Sequence, residues 1–406
     1  MERRALWLIV GIAGGVLILL GFGGGLLVLA VSLVGRGLLT TTEALPVAGM
    51  MAVGLGLGVP LTFQGWAGWL ARPSRPFSPS RGWWMGLALA FLVGLEIVVG
   101  SLSLAPDMVL LPVHVLAMAL LPLTVLWLVG QGLRGVGGSW REVVAGMAGG
   151  GYLGLGISLV SEAVIAFVLA SVATAIVWMT PGGAERIAAL MSNLQDPAWV
   201  ADPDNLLRLL LSPAIAISAL GLFSIPVPLI EEAFKTLAAG VVARWVRPHP
   251  ARAFLWGVAG GAGFALTENL CNGALGGVET WAPGAVARFG ATIMHCLTGG
   301  LVGWGWGQLW TARRPLRLLA SYVAAVTVHG LWNAATVGLM LLSANTLAHA
   351  GDGFGLALAG LGALALLGLL GLLTVAFMVA LPLVGCRLAA RVEQSQDSAL
   401  ELGPVS

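Results

Sequence analysis

The residues best suited to chemistry lie in a short polar stretch of an otherwise apolar segment. From Pro228 to Lys235 the chain reads Pro-Leu-Ile-Glu-Glu-Ala-Phe-Lys, so Glu231, Glu232 and Lys235 follow one another closely. A charged side chain at the centre of a bilayer costs about 2.5–3.5 kcal/mol on insertion scales. Three such groups are expensive to keep for packing alone, and the stretch therefore predicts an ionisable site within a membrane.

Three further polar clusters follow along the chain. Phe264 and Glu268, like His329 and Asn333, are separated by four residues, whereas Arg288 and His295 are separated by seven. Both separations place the two members on one face of a helix. The predicted site residues are Glu231, Glu232, Glu268, His295, His329 and Asn333, supported by Lys235, Phe264, Asn269 and Arg288.

The composition predicts the elements that must position these residues. Hydrophobic residues make up 58% of the 406 residues and charged residues only 9%, against about 25% charged residues in soluble domains. Apolar stretches of about 20 residues recur along the chain, which predicts an all-α polytopic transmembrane helical bundle with about ten (roughly 8–12) membrane-crossing segments. The net charge of +2 gives no reason to expect a nucleic-acid partner. The predicted segments are 6–35, 46–71, 83–105, 108–131, 144–179, 207–246, 253–274, 286–310, 318–343 and 354–385.

Two of these segments, 144–179 and 207–246, are longer than one crossing requires. Pro226 and Pro228 predict a break in the second, directly before the glutamate pair. Most arginines fall on alternate loops and at the termini, so the positive-inside rule predicts that both termini are cytoplasmic. We expect a multi-pass protein of the cell membrane, and a bacterial plasma membrane is the natural location.

The four clusters are expected to lie at a common depth. Counted at 1.5 Å per residue from the arginines of the inner loops, Glu231, Glu268, His295 and His329 lie about 18–27 Å into the membrane. With a hydrocarbon core of about 30 Å, this range extends from the middle into the outer half. Four separate segments therefore predict one site that is reached from the outer side.

The residue types indicate hydrolysis. Two adjacent buried carboxylates cannot both ionise cheaply, and Lys235 would favour keeping one of them ionised. Such a carboxylate can take a proton from water as a general base. His295 or His329 can orient water, donate a proton or bind a metal, while the amide of Asn333 can stabilise an oxyanion. Together these are the parts of an intramembrane hydrolase.

At these residues the chain resembles the PrsW family of membrane proteases, which belongs to a superfamily of glutamate-dependent intramembrane peptidases that also includes CAAX prenyl endopeptidases and bacteriocin-immunity proteins. The resemblance covers roughly residues 206–343 and rests on four motifs in order. They are Glu231-Glu232-x-x-Lys235, Phe264-x-x-x-Glu268-Asn269, Arg288 to His295, and His329-x-x-x-Asn333.

The resemblance implies a role for each motif. Glu231 would be the general base that activates water, with Glu232 assisting, and Glu268 and His295 would hold or polarise that water. His329 and Asn333 would serve the oxyanion. The implied substrate is a membrane-anchored protein or peptide, such as an anti-sigma factor or a similar regulator, that is cleaved near the outer face of the lipid bilayer.

The resemblance favours a mechanism without a metal or other cofactor. The spacing does not forbid one, because Glu231, Glu268, His295 and His329 could together bind zinc or another divalent ion. Other interpretations of the site also stay open: a structural ion pair with Lys235, hydrogen-bonded interior histidines, an interface anchor at Arg288, or a helix–helix hydrogen bond from Asn333. Two groups are left outside the site: Glu96 is expected to be structural, and His114 is expected to be solvated near the outer boundary.

The chain divides by expected role into three parts. Residues 1–205 form an N-terminal transmembrane region of unknown role with an acidic outer loop at 180–205, and residues 206–345 form the catalytic core. Residues 346–406 add the last transmembrane segment and a polar cytoplasmic tail. Two other functions compete with the intramembrane endopeptidase. One is a proton-coupled membrane transporter that uses the same acids, and the other is a catalytically silent scaffold.

Overall fold

The computed structural model describes residues 2–35, 37–79, 82–102, 107–272, 281–348 and 353–401. These residues are almost entirely helical and contain no β-strand, which confirms the all-α prediction. The helices are α1 (Glu2–Ile18), α2 (Gly24–Gly35), α3 (Thr41–Trp69), α4 (Trp83–Ser101), α5 (Asp107–Leu133), α6 (Trp140–Ala148), α7 (Leu155–Trp178), α8 (Gly183–Gln195), α9 (Pro197–Ala201), α10 (Pro203–Leu210), α11 (Pro213–Ser224), α12 (Pro226–Phe234), α13 (Leu237–Val246), α14 (Pro250–Asn272), α15 (Trp281–Ala312), α16 (Pro315–Ala348) and α17 (Gly353–Glu401).

Nine stretches of the described chain are long and apolar enough to cross a membrane, which agrees with a polytopic bundle of about ten spans. They are Arg4–Gly35, Thr41–Trp69, Trp83–Ser101, Met108–Leu133, Trp140–Trp178, Pro213–Val246, Trp281–Ala312, Pro315–Thr346 and Gly353–Ser395. The remaining predicted segment, 253–274, corresponds to α14, which is not among the nine but is buried along most of its length. A helix that is surrounded by protein does not need the apolar surface of a helix that faces lipid.

The two overlong segments behave differently. In the second, α11 ends at Ser224 and α12 begins at Pro226, as the proline pair predicts. A further interruption at Lys235–Thr236 separates α12 from α13, and no proline signals it. The first segment contains no proline and continues from α6 to α7 through a π-helical stretch at Gly149–Gly154. A similar π-helical stretch, Leu19–Gly23, joins α1 to α2.

The polar stretch predicted as an acidic outer loop, 180–205, contains short helices. The side chain of Asp196 accepts a hydrogen bond from the N–H of Ala198 at the start of α9. The side chain of Asp202 accepts one from the N–H of Asp204 at the start of α10. A proline follows each aspartate at the first helical position. Aspartate at the N-cap and proline at the next position are standard helix-start residues, so the local sequence accounts for both helices.

The chain forms two compact units. The first comprises residues 1–156, 232–325 and 374–406, and the second comprises residues 157–231 and 326–373. In the first unit α14 is central, since it packs against α3, α5, α6 and, most extensively, α15. The second unit contains α8 to α11 together with most of α7 and α12 and parts of α16 and α17.

Close packing of α14 against α15 depends on glycine. A Cβ atom at Gly257 would collide with the carbonyl oxygen of Gly299, and one at Gly261 would collide with the carbonyl oxygen of His295. Small residues let two helix backbones approach closely in a membrane, where packing and hydrogen bonds replace the hydrophobic effect. The two glycines therefore set the distance at which polar side chains of α14 can meet those of α15.

Candidate active site

Lys235 lies at the interruption between α12 and α13 and is 1% exposed. Its Nζ donates to Oε1 of Glu232 at 2.6 Å and lies 2.7 Å from Nδ1 of His295. The ring centroid of Phe264 lies 5.0 Å from the same Nζ, which adds a cation–π contact. The interruption thus positions one ammonium group between a carboxylate and an imidazole.

His295 is held through both ring nitrogens. Its Nε2 lies 2.9 Å from Oε2 of Glu268, opposite the Nδ1 contact with Lys235. An ammonium group has only donors, so with Lys235 charged Nδ1 must accept and the ring proton must lie on Nε2. These partners therefore fix a neutral imidazole that donates to Glu268.

Glu268 also forms a bidentate ion pair with Arg288 of α15. Nη2 of Arg288 lies 2.7 Å from Oε2 of Glu268, and Nη1 donates to Oε1 at 3.1 Å. The remaining Nε of Arg288 donates to the side-chain oxygen of Asn269 at 2.6 Å. Asn269 in turn donates to the hydroxyl of Thr292 at 3.0 Å. The planar guanidinium thus orients two consecutive residues of α14.

These contacts form one connected polar network in the first unit, which we call the lysine–arginine network. Its charged members are two carboxylates, Glu232 and Glu268, and two cations, Lys235 and Arg288, so their formal charges cancel. Buried charges are tolerated when they are paired and hydrogen-bonded. The network brings together seven of the ten predicted residues: Glu232, Lys235, Phe264, Glu268, Asn269, Arg288 and His295.

The other three predicted residues lie in the second unit. Oε2 of Glu231 lies 3.7 Å from Nε2 of His329, and both side chains are buried. The amide nitrogen of Asn333 donates to the carbonyl oxygen of Phe223 at 3.0 Å, at the end of α11. This bond uses one of the two amide N–H groups and ties α16 to α11 beside the interruption at Ile225.

A divalent cation would find suitable donors among these residues. Within the second unit, Glu231 and His329 offer a carboxylate and an imidazole, two of the ligand types of catalytic zinc sites. The 3.7 Å between the nearest Glu231 and His329 atoms is close to the separation of about 3.3 Å that ligand distances of 2.0–2.1 Å give in tetrahedral geometry. His295, a predicted ligand in the first unit, has both ring nitrogens engaged by Lys235 and Glu268. Glu268, the fourth predicted ligand, is engaged by Arg288 and His295.

The prediction for His114 is wrong. His114 is 1% exposed, its Nδ1 lies 3.1 Å from Oε1 of Glu96, and its ring stacks on Trp281 at 4.6 Å. Helix length alone placed it near the outer end of α5, but the packing of α4 and α15 on α5 buries it. Glu96, expected to be structural, is its partner in this buried pair.

Sequence reasoning missed Glu142, which anchors the other end of α14. The Nε and Nη2 atoms of Arg252 donate to its carboxylate at 3.1 and 2.6 Å, and the indole of Trp256 donates at 3.0 Å. The backbone N–H of Ser139 donates to the same carboxylate at 3.4 Å. The pattern Ser139-x-x-Glu142 has the form of a helix capping box and could have identified this residue.

Comparison with known proteins connects this geometry to a family. The model of the family described as "PrsW family intramembrane metalloprotease" matches residues 138–350, which is more than half of the chain. The matched range includes all ten predicted site residues and also Glu142. No curated protein and no solved structure matches this chain.

Proposed function

Because the chain belongs to the PrsW family of intramembrane metalloproteases, we propose that it cleaves a peptide bond of a membrane-anchored protein inside the bilayer. The observation that carries the proposal is the lysine–arginine network. It keeps Glu232, Lys235 and Arg288 within stretches long and apolar enough to cross a membrane, and Glu268 within α14, which is buried along most of its length. Such groups are expensive in that environment and mark functional sites.

Glu231 is the proposed base. Its carboxylate takes a proton from water, the water oxygen attacks the peptide carbonyl carbon, and the proton is then delivered to the departing amine nitrogen. His329, at 3.7 Å, is placed to share that proton. The second N–H of Asn333 would stabilise the oxyanion, since the first is used by Phe223.

The lysine–arginine network would position side chains rather than take part in the reaction itself. Glu232 is joined to Glu231 by a peptide bond, and Lys235 fixes its carboxylate. Glu268 and Lys235 engage both ring nitrogens of His295, and Arg288 fixes Glu268, so the orientation of this ring is set within the first unit. We place this chemistry in residues 206–345, with both termini cytoplasmic and the substrate entering from the outer side.

Glu231 and His329 of the second unit also have donor types that would suit a divalent ion. A bound zinc ion would lower the pKa of a coordinated water and polarise the peptide carbonyl. The metal content of the purified protein decides between the two roles of Glu231. We expect cleavage to continue in a chelator, and a stoichiometric ion whose removal abolishes cleavage would make Glu231 a ligand rather than the base.

Reconstitution separates the protease from a transporter. Purified protein in liposomes should cut a co-reconstituted single-span reporter, and Glu231→Gln should abolish the cut because it preserves shape and removes the base. A protein that leaves the reporter intact but takes up solute with protons would contradict the proposal. The matched control is Glu185→Gln. Glu185 lies in α8, outside the lysine–arginine network and apart from Glu231 and His329.

A further inference from the structure

A basic cavity of about 410 Å³ lies where α13 and α15 end and α16 begins. Among the described residues its lining contains three arginines, two tryptophans and no acid: Arg244, Trp245, Arg247, Leu309, Trp310, Arg313 and Pro315. All seven residues belong to the first unit. None of them is part of the lysine–arginine network, so the cavity is a separate feature of the molecule.

Two of the three arginines lie at backbone positions of unusual conformation. Arg247 and Arg313 have φ values of 48° and 52°, in the left-handed region that non-glycine residues rarely occupy. Such conformations cost of order 1–3 kcal/mol and persist where the surroundings determine them. Here the indole of Trp310 donates to the carbonyl of Gly240 at 3.0 Å, and the hydroxyl of Thr311 donates to that of Pro248 at 3.1 Å. The cavity is therefore formed before any ligand arrives.

The positive charge of the cavity is not balanced within the described residues. No carboxylate among them lies within ion-pairing distance of Arg244, Arg247 or Arg313, and Arg244 faces the ring of Trp310 at 5.7 Å. The arginines of the chain interior behave differently, because Arg252 and Arg288 each bind a carboxylate. Three guanidinium groups around one cavity match an anion with several oxygens, above all a phosphate.

The surroundings identify the source of the phosphate. The cavity lies at the ends of three apolar spans, Pro213–Val246, Trp281–Ala312 and Pro315–Thr346, and therefore at the level of lipid headgroups. Trp245 and Leu316 beside it are 70% and 77% exposed, which leaves apolar surface for an acyl chain. We propose that this cavity binds the phosphate of an anionic phospholipid.

Binding there would also stabilise α13. This helix begins directly after Lys235 and Thr236 and ends at the cavity, so its two ends connect the lipid site to the lysine–arginine network. Trp306 of α15 donates to the hydroxyl of Thr236 at 3.2 Å, which reinforces the same pair of helices. The proposal that a lipid binds here does not depend on the proposed function. An effect of the lipid on cleavage does depend on it.

The test compares lipid binding by three purified proteins. They are the wild type, the triple variant Arg244→Gln/Arg247→Gln/Arg313→Gln, and the matched control Arg72→Gln/Arg75→Gln/Arg134→Gln, which removes three exposed arginines that do not line the cavity. Native mass spectrometry in detergent counts bound phosphatidylglycerol against phosphatidylcholine, and inorganic phosphate and glycerol phosphate are added as competitors. Arg313→Gln alone replaces the triple variant if the latter does not fold.

We expect the wild type and the control to retain phosphatidylglycerol at least about tenfold better than the cavity variant, a difference of about 1.4 kcal/mol. Equal retention by the cavity variant and the control, or equal binding of phosphatidylcholine, would overturn the proposal. Displacement by inorganic phosphate at the same concentration as lipid would show that a free anion, not a lipid, is the ligand. Lipid binding is measured without a cleavage assay. Its result therefore does not depend on whether the protein is a protease.

Discussion

The first unit contains two buried pairs of a carboxylate and an imidazole. Glu96 and His114 lie 3.1 Å apart, and Glu268 and His295 lie 2.9 Å apart. The first pair is covered by the ring of Trp281, which belongs to an apolar cluster with Leu45 and Leu110. The second pair is extended by Arg288 on one side and Lys235 on the other. The pairs thus share distance and chemistry but differ in what surrounds them.

That difference shows why a buried acid–histidine pair alone does not identify an active site. An isolated pair can stabilise helix packing through its single contact, as we interpret Glu96 and His114. A pair that is connected to further charges has fixed protonation and orientation, as the Lys235 contact does for His295. Under the proposed function, only the second arrangement belongs to the catalytic core. The predictions below, from the largest expected effect to the smallest, test this distinction.

The largest effect is expected for Lys235→Met. It removes the cation that binds the fully buried carboxylate of Glu232, and breaking a buried pair in this way costs about 3–5 kcal/mol. Thermal unfolding in detergent measures the loss. The double variant Lys235→Met/Glu232→Gln should recover much of the stability without recovering cleavage. Recovery of both would show that the lysine–arginine network serves packing alone.

Glu268→Gln should reduce the cleavage rate by about 10²-fold, since misplacement of a catalytic group by about 1 Å costs that much. The substitution removes the charge that orients Arg288 and His295. The matched variant is Glu96→Gln, which we expect to cost about 1–3 kcal/mol of stability and to leave the rate of the folded protein unchanged. Equal rate losses in the two variants would remove the distinction between the pairs.

Gly261→Ala tests the helix spacing that the second pair requires. A methyl group there would push α14 away from the carbonyl of His295 and lengthen the contact between Glu268 and His295. We expect a loss of about 1–3 kcal/mol from overpacking, together with slower cleavage. Gly284→Ala of α15 has open space and serves as the control. Wild-type kinetics in Gly261→Ala would mean that the spacing is not critical.

The smallest effect is expected at His249, outside the spans and outside both pairs. Its Nδ1 accepts from the N–H of Arg252 at 3.3 Å near the start of α14. Burial, and next the charge of Arg252, lower the pKa of His249 below its usual range. The unfolded chain therefore binds this proton more readily, so the contribution to stability is complete above the unfolded pKa of about 6.5 and is lost as the pH falls.

His249→Asn retains a capping acceptor that does not titrate. Its melting temperature should therefore fall less than that of the wild type as the pH is lowered from about 7 towards 5. The same pH dependence in both proteins would exclude His249 as the source. Cleavage at neutral pH should be unchanged, which separates this end of α14 from the active-site end.

Much of this arrangement is predictable from the chain because apolar length and residue spacing act locally. The spacing of seven residues from Arg288 to His295 predicts one helix face, and in the structure both side chains reach Glu268. The proline pair predicts the break before α12 for an equally local reason, the missing backbone N–H.

Tertiary packing accounts for what the sequence does not predict. His114 is buried because α4 and α15 cover it, and no local pattern encodes that contact. The interruption at Lys235–Thr236 also lacks a local signal, although Trp306 binds Thr236 there. Lys235 then turns to His295, 60 positions further along the chain, a partner that spacing within one helix cannot reveal.

The most direct measurement compares new protein N-termini in membranes that contain the wild type with those in membranes that contain Glu231→Gln at equal abundance. We predict termini that appear only with the wild type and map near the outer ends of membrane spans in other proteins. Such termini would identify both the activity and the substrate. Identical sets of termini across growth conditions, envelope stress included, would contradict an intramembrane protease that depends on Glu231.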